Sequence, residues 1–195
     1  LDATVSVKLT QFGLKLDVER CVAILTEVLE AAGETDIQVD MEDSSCTSAT
    51  LEVFRRLHPR FKNLGMVVQA YLRRTPDDIE SLVELKPVAR LCKGIYIEPP
   101  DLAFQKFEEV RSQYLLCLRR MLDAGFFVGI ATHDPYLIEQ AEKEIEQRKL
   151  DGKQFEFQML LGVAEDLRRQ LIAKGYKLRV YIPYGKDWFA YATRR

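Results

Sequence analysis

Short apolar runs alternate with amphipathic segments along the whole chain. Between the runs, apolar residues recur at helical spacing, as they do at Val18, Cys21, Val22 and Leu25. The runs predict strands near residues 4–9, 36–41, 65–71, 88–93, 127–132, 155–160 and 178–182. The amphipathic segments predict helices near residues 17–32, 46–57, 76–85, 103–124, 135–149 and 163–174, with a last one starting near 187. Because the strands read as continuous apolar runs, we expect a parallel sheet that is buried on both faces.

Nearly every predicted strand ends in a polar side chain. In βα proteins the chemistry lies at the carboxyl ends of the parallel strands, and an open sheet concentrates it at one switch point. Here the polar ends are spread over all seven strands, which favours a closed (βα)8 TIM-type barrel. Seven strand–helix units are one too few for that barrel. We therefore expect residues 1–195 to form a single barrel domain that lacks its first strand and N-terminal helices.

Composition places the chain among ordinary globular proteins, with 47% hydrophobic and 30% charged residues. The formal net charge of −2 gives no overall field that would favour nucleic acid as a partner. The four cysteines lie far apart with no Cys-x-x-Cys pair, which predicts reduced thiols. With two histidines and no Cys/His cluster at ligand spacing, no metal site is predicted. Glycine-rich nucleotide loops, His-Glu-x-x-His and Gly-x-Ser-x-Gly are absent from the sequence as well.

The segment RLCKGIY, residues 90–96, places two cations and a tyrosine at the end of a predicted strand. Arg90 and Lys93 need anionic partners if they are buried, and a bound phosphate or carboxylate would supply one. Gly94 would let a ligand approach the backbone closely. Lys8, which ends the first predicted strand, either belongs to the same site or reaches solvent.

Acidic and histidine side chains end two further strands. Asp40 and Glu42 share one strand face by the period of two. They form either an acid pair, or one of them is the ion-pair partner of Lys8. In the segment THD, residues 132–134, the threonine or the aspartate would serve as N-cap of the next helix. The histidine is not needed for that cap, which makes it a candidate for chemistry.

The chain closes on the segment RVYIPYGKDWFAYATRR. A pair of arginines at a helix end is usually solvated surface. Here proline and glycine end the last strand, and an aromatic-rich helix follows directly. A short helix across the barrel mouth would aim both guanidinium groups inward, and two planar forks suit a carboxylate. Arg194 and Arg195 are therefore candidates for binding an anionic substrate.

Seven motifs occur in the order VSVKLTQFG, QVDMED, VVQAYLRR, ARLCKGIYIEP, IATHD, FEFQMLLG and RVYIPYGKDWFAYATRR. Together they resemble the monofunctional bacterial proline dehydrogenases over essentially the whole chain. The resemblance implies a distorted (βα)8 barrel that binds FAD at the carboxyl ends of its strands, with the last helix over the barrel mouth. It also implies oxidation of L-proline to 1-pyrroline-5-carboxylate, with electrons passed to a quinone.

Partners and location follow from the same resemblance. The product would be consumed by a downstream pyrroline-5-carboxylate dehydrogenase. The protein would be cytoplasmic, and a quinone acceptor is compatible with peripheral membrane association at the inner face of the cell membrane.

Residue roles are carried over motif by motif. Binding of the proline carboxylate would fall to Lys8, Arg194 and Arg195. The substrate pocket would be lined by Leu91, Tyr96 and Tyr181. The catalytic positions would be Asp40 and Arg90, with Arg90 near the reactive nitrogen of the flavin. The FAD-contacting positions would be Met41, Gln69, Arg90, Lys93, Gly94, Ile95, Thr132 and His133.

Two other functions fit the same residues. In a Schiff-base enzyme of the class I aldolase type, Lys8 or Lys93 would be the nucleophile. A non-catalytic barrel would bind flavin or another metabolite without turning it over. Flavin absorbance in the purified protein would argue against the aldolase, and borohydride trapping of a carbonyl substrate would favour it.

Overall fold

A computed structural model of the protein describes residues 3–185. Within that range the strands β1 to β7 lie at Thr4–Val7, Asp36–Val39, Leu64–Gln69, Val88–Cys92, Phe127–Ala131, Phe155–Leu160 and Leu178–Tyr181. The helices α1 to α6 lie at Val18–Ala32, Ser44–Leu57, Thr75–Glu80, Phe107–Asp123, Pro135–Arg148 and Glu165–Ala173. Short 3-10 helices occupy Leu9–Phe12 and Val83–Leu85. The seven predicted strands are confirmed, as is a helix at each of the six positions predicted within this range.

The strands form one parallel sheet in which β1 to β7 follow one another in chain order. Parallel neighbours need a crossover connection, and the helices between the strands supply it. All six residues of β3 are buried. The main hydrophobic core combines strand residues such as Leu64 and Ile130 with helix residues such as Leu25 and Leu118. The apolar strand runs therefore reflect burial under the helices, as the sequence predicts.

Helix starts follow local capping chemistry. The side chain of Asp17 accepts a hydrogen bond from the backbone N–H of Arg20 at 3.1 Å and begins α1. Asp134 accepts from the backbone N–H of Tyr136 at 3.2 Å and begins α5, with Pro135 in the first turn. Of the two caps considered for α5, the structure uses the aspartate.

The fourth helix begins later than predicted, at Phe107 instead of near residue 103. The backbone ahead of it is engaged with the segment that follows β3. Ala103 forms an isolated antiparallel bridge with Leu72, and the N–H of Phe104 donates to the carbonyl of Tyr71 at 2.9 Å. The carbonyl of Leu102, which would accept the first bond of a helix beginning at residue 103, accepts instead from the N–H of Arg73 at 2.9 Å. Residues 93–106 therefore form a long loop between β4 and α4.

The sheet is strongly curled. In a flat sheet, β2 and β7 would be about 24 Å apart, because five strand spacings separate them. Instead, the hydroxyl of Tyr181 at the end of β7 donates to Asp40, just after β2, at 3.2 Å. Residues 3–185 thus form a curled, seven-stranded parallel half-barrel. Closure by an eighth strand stays a prediction.

Within residues 3–185, none of the helices combines the length and the apolar character needed to cross a membrane.

Candidate active site

A cavity of about 500 Å³ opens at the carboxyl ends of the strands. Each of the seven strands contributes a lining residue at its end or just after it. The residues that the sequence assigns to the site and that line this cavity are Lys8, Asp40, Met41, Gln69, Arg90, Lys93, Gly94, Ile95, Tyr96, Thr132, His133 and Tyr181. The curl of the half-barrel therefore brings together side chains from strand ends that are far apart in sequence.

Asp40 is the anion at the centre of the polar side of the cavity. Its Oδ2 accepts from Lys8 Nζ at 2.8 Å and from the Tyr181 hydroxyl at 3.2 Å, while Oδ1 accepts from Arg90 Nη1 at 2.9 Å. The Asp40 and Arg90 side chains are 12% and 10% exposed. Two cations share this one carboxylate, so the cluster carries an excess positive charge and suits an anionic ligand. Of the alternatives open for Lys8, the ion pair with Asp40 is confirmed.

Glu42 does not form an acid pair with Asp40. Its carboxylate accepts from the backbone N–H of Thr10 at 3.1 Å and from the Thr10 hydroxyl at 2.7 Å. Both bonds go to the 3-10 helix that follows β1. β2 ends at Val39, so the strand period that would place both acids on one face does not extend this far. The role of Glu42 is to hold the turn after β1.

Arg90 is held from several directions. Its Nε donates to Gln158 Oε1 at 2.5 Å, and its Nη2 lies 3.2 Å from Ser6 Oγ and 3.4 Å from Gln38 Oε1. The guanidinium carbon also lies 5.1 Å from the centre of the Tyr181 ring, a cation–π distance. With Asp40 as a further partner, the guanidinium plane has little freedom.

A second charged cluster lies between β4, α4 and α5. Arg111 donates two hydrogen bonds to Asp134, at 3.0 and 2.8 Å, and Lys93 Nζ lies 3.5 Å from the same carboxylate. Burial alone would raise the pKa of Asp134, but the bonds from Arg111 and the charge of Lys93 outweigh it and lower that pKa. Both cations also face the ring of Phe107, at 4.2 and 5.2 Å. Arg111 also donates to Glu108 at 3.1 Å, so two cations face two carboxylates here, and of the two acids only Asp134 is buried.

The neutral donors and acceptors of the site are also fixed. His133 Nε2 accepts from the backbone N–H of Leu160 at 2.9 Å, so the ring proton lies on Nδ1. The Thr132 hydroxyl accepts from the backbone N–H of Asp134 at 3.1 Å. Gln69 Nε2 donates to the carbonyl of Glu42 at 2.7 Å. Each of these three expected FAD-contacting side chains is thus oriented by a neighbouring strand or loop.

Gly94 has a structural reason to be glycine. Its φ is +112°, and a Cβ at this position would lie 2.1 Å from Cδ1 of the Tyr71 ring. We expected the glycine to allow a ligand to approach the backbone. The close approach that the structure contains is instead that of Tyr71, although Gly94 does line the cavity.

Three residues assigned from sequence are not part of the described cavity. Leu91 is fully buried in the hydrophobic core. Side chains alternate along a strand, so Leu91 points away from the face that carries Arg90. The expected place of Leu91 in the pocket wall is therefore corrected. Arg194 and Arg195 lie outside the described residues.

Sequence reasoning assigned no role to several lining residues, among them Cys92, Phe107, Arg111, Gln158 and Met159. Gln158 had a signal, because it is a polar residue inside an apolar strand. Phe107 and Arg111 had none, since they are ordinary helix residues four apart and only the fold brings that helix face to the cavity.

The comparison with known proteins agrees with these features. The family model described as "Proline dehydrogenase" matches residues 2–195. Proline dehydrogenase 1 of Bacillus subtilis strain 168 is 38% identical over 197 residues, which span 100% of this chain and 65% of that protein. The proline dehydrogenase of Deinococcus radiodurans is 41% identical over 161 residues, which span 82% of this chain and 52% of that protein. The chain thus spans less than two thirds of the length of these relatives.

A solved structure shares the fold. Proline utilization A from Bdellovibrio bacteriovorus, inactivated by N-propargylglycine, is 28% identical with a TM-score of 0.89. The match covers 98% of this chain and 24% of that protein. The half-barrel, the charged cavity at its strand ends and the family match over residues 2–195 lead to one conclusion: the chain belongs to the proline dehydrogenase family.

Proposed function

We propose that the full-length protein oxidises L-proline to 1-pyrroline-5-carboxylate, using FAD bound at the carboxyl ends of the strands. The observation that carries this proposal is the Lys8–Asp40–Arg90–Tyr181 cluster in the wall of a cavity of about 500 Å³. The excess positive charge of that cluster suits the carboxylate of an amino acid. Membership of the proline dehydrogenase family supplies the reaction.

The lining residues fit a flavin nucleotide. The cavity volume lies within the usual range for cofactor sites. Lys93 and Arg111 offer positive charge for a phosphate group, while the buried side chains of Gln69 and Thr132 offer polar contacts. Met41 and Ile95 supply apolar surface for a ring system, and they belong to the same lining. When bound, FAD would supply the hydride acceptor.

The chain's own residues would bind and orient the substrate. Lys8 would bind the proline carboxylate, together with Arg194 and Arg195, which lie outside the described residues. Tyr96 and Tyr181 would enclose the proline ring from two sides of the cavity. Charge-assisted contacts at one end of a small substrate fix where its other end lies, and such orientation is a large part of catalysis.

Asp40 would act by holding its three donors, because both of its oxygens are already engaged by Lys8, Arg90 and Tyr181. This arrangement favours a positioning role for Asp40 over a role as general base. Arg90 would provide a fixed positive charge where negative charge develops during the reaction. A preorganised charge of this kind needs no rearrangement at the moment of reaction.

Further features are inferred from the family. We infer a closed eight-stranded barrel as a single domain, a quinone as electron acceptor, and a pyrroline-5-carboxylate dehydrogenase acting on the product. We also infer a cytoplasmic location, with peripheral membrane association where the quinone is reached.

The absorption spectrum of the purified full-length protein tests this function. Flavin bands should be present, and they should bleach when L-proline is added without oxygen. If flavin is bound but proline does not bleach its bands, the protein is a non-catalytic binder and this proposal is wrong. If the protein contains no flavin and borohydride traps a carbonyl substrate on one of its lysines, the protein is an enzyme of the aldolase type. The engagement of Lys8 by Asp40 and of Lys93 by Asp134 weighs against that last outcome.

A further inference from the structure

We propose that Glu156, acting through Gln158, is a positioning residue for Arg90. The inference rests on the proposed role of Arg90, but the hydrogen bonds that carry it belong to β4 and β6. Arg90 Nε donates to Gln158 Oε1 at 2.5 Å, and Gln158 Nε2 donates to Glu156 Oε1 at 2.8 Å. Glu156 and Gln158 share the inner face of β6 because they are two residues apart on one strand.

The chemistry of the three groups allows only one orientation of the Gln158 amide. The guanidinium of Arg90 can only donate, and the carboxylate of Glu156 can only accept. The amide oxygen of Gln158 must therefore face Arg90, and its NH2 group must face Glu156. Without a pure acceptor at position 156, the amide could turn over and present a donor to Arg90.

Glu156 is buried, and two cations hold its carboxylate. It is 1% exposed and is not among the residues that line the cavity. Its carboxylate is paired with Arg179 Nε at 2.5 Å and with Lys177 Nζ at 3.4 Å. The same Oε1 that accepts from Arg179 Nε also accepts from Gln158 Nε2. The ion pairs therefore fix the acceptor that orients Gln158.

Gly129 on β5 provides the space for this arrangement. It lies between Arg90 on β4 and Glu156 on β6 in the sheet register. A Cβ at Gly129 would lie 2.5 Å from Gln158 Nε2 and 2.8 Å from its Cδ. The Gln158 side chain thus occupies the space that the Cβ of any residue other than glycine at position 129 would need, and so reaches Arg90.

The first test is Glu156→Met in the full-length protein, which keeps a side chain of similar length but removes both acceptor oxygens. Glutamine would not test the proposal, because its oxygen could stay where Oε1 accepts from both Arg179 and Gln158. In the methionine variant Gln158 Nε2 has no acceptor at position 156, and Arg179, which has lost Glu156, can take the Gln158 oxygen and turn the amide over. In crystal structures of the variant, Arg90 Nε should no longer donate to Gln158, and the guanidinium should have moved. For proline oxidation, kcat should fall roughly 10- to 100-fold with a smaller change in KM, since small misplacements at a reacting centre have effects of that size.

Two further variants, a matched control and a double variant, show whether an effect on Arg90 is specific to position 156. Glu144 is also buried and paired with two arginines, Arg119 at 2.6 Å and Arg148, but it lies on α5 away from the cavity. Glu144→Met should leave Arg90 and kcat unchanged. The double variant Glu156→Gln/Gln158→Glu has the native net charge and a pure acceptor facing Arg90, and should keep the guanidinium in its place.

Two outcomes would overturn the proposal: Arg90 staying in place in Glu156→Met, or being displaced in the double variant. If Glu156→Met does not fold, Gly129→Ala keeps every charge and should displace Gln158 and Arg90 by crowding alone. Arg90 unmoved in that variant would also count against the proposal. A wild-type protein that does not oxidise proline would remove the proposed function, whereas the crystallographic position of Arg90 would still decide this inference.

Discussion

At the residue scale, Asp40 shows how one carboxylate can organise a site. It lies just beyond β2, yet its donors are Lys8 just after β1, Arg90 within β4 and Tyr181 at the end of β7. Buried cations are costly without an anionic partner. Asp40 is that partner for Arg90, so its first contribution is to let two cations share a small space.

We predict that Asp40→Asn lowers the free energy of unfolding of the full-length protein by about 1–3 kcal/mol, because hydrogen bonds to a charged group are removed. Asp43→Asn is the matched control. The pair of Asp43 with Lys15, at 2.9 Å, is solvent-exposed and should contribute less than about 1 kcal/mol. Asparagine also keeps the N-cap that Asp43 provides for α2. Urea unfolding measures both, and equal losses would contradict the prediction.

The ionisation of Asp134 makes the stability contributed by the second charged cluster depend on pH. Its pKa in the folded protein is lowered from the ordinary value of 3.8, because the donors Arg111 and Lys93 outweigh burial. A carboxyl whose pKa is lower in the folded state stabilises the protein above its unfolded pKa. That contribution is lost as the pH falls through the folded pKa.

We therefore predict that the stability difference between wild type and Asp134→Asn is constant from pH 7 to about 5 and shrinks below about pH 4. Asparagine keeps the cap of α5, so the variant isolates the charge. Urea unfolding of the full-length proteins from pH 3 to 7 measures this difference. A difference that stays constant down to pH 3 would show that the charge of Asp134 contributes nothing.

At the scale of elements, the loop between β4 and α4 is tied to the start of α2. Glu98, in the middle of this loop, accepts from the backbone N–H of Ser44 at 2.6 Å and from its hydroxyl at 2.5 Å. The first N–H groups of a helix lack partners within the helix, and a negative charge there is favourable. The same loop carries Gly94, Ile95 and Tyr96 into the cavity wall. The helix start thus serves as an anchor for part of the site.

We predict that Glu98→Ala costs about 1.5–3 kcal/mol of stability and speeds amide hydrogen exchange at Ser44 and across residues 93–106. Glu109→Ala is the control. Its carboxylate lies 3.7 Å from Lys106 in an exposed pair, so its removal should change stability by no more than about 0.5 kcal/mol. If exchange in the loop were unchanged in Glu98→Ala, other contacts would have to hold the loop.

At the scale of the whole molecule, the curl of the sheet decides which residues can meet. Tyr181 and Asp40 are 141 positions apart in sequence and share a hydrogen bond. The Tyr181 ring also lies against Arg90. The last described strand therefore closes the cavity over the ends of the earlier ones, and Tyr181 is placed to limit the size of a substrate.

We predict that Tyr181→Ser lowers kcat/KM for proline. The variant should also reduce the ratio of kcat/KM for proline to kcat/KM for 4-hydroxyproline. In the proposed substrate site, the Tyr181 ring would occupy the space that a hydroxyl on the proline ring needs, and desolvating such a group costs roughly 1–3 kcal/mol. Tyr181→Phe keeps the ring and removes only the hydroxyl, so it should keep the ratio. Steady-state kinetics of the full-length enzyme on both substrates test this. If Tyr181→Ser does not change the ratio of the two kcat/KM values, Tyr181 has a packing role alone.

Much of the architecture was predictable because strand and helix patterns are local. The apolar runs placed all seven strands, and the polar residue at the end of each run indicated which edge of the sheet carries the site. The motifs that resemble the proline dehydrogenases then named most residues of the cavity wall. Leu91 was misplaced, because a resemblance in sequence does not say which strand face a side chain occupies. The later start of α4 was missed because its preceding backbone pairs with a distant loop.

The sequence by itself determined the order of the elements, the parallel sheet and the set of ionisable side chains at the strand ends. The pairing of those side chains was decided only by the tertiary structure. Two acids were possible partners of Lys8 by sequence, and Gln158 contacts Arg90 across 68 positions. Such contacts depend on the curl of the sheet, on the register of its strands and on the absence of a side chain at Gly129. Periodicity is a property of neighbours along the chain, whereas a hydrogen bond between strand ends is set by the distance that the folded sheet leaves between them.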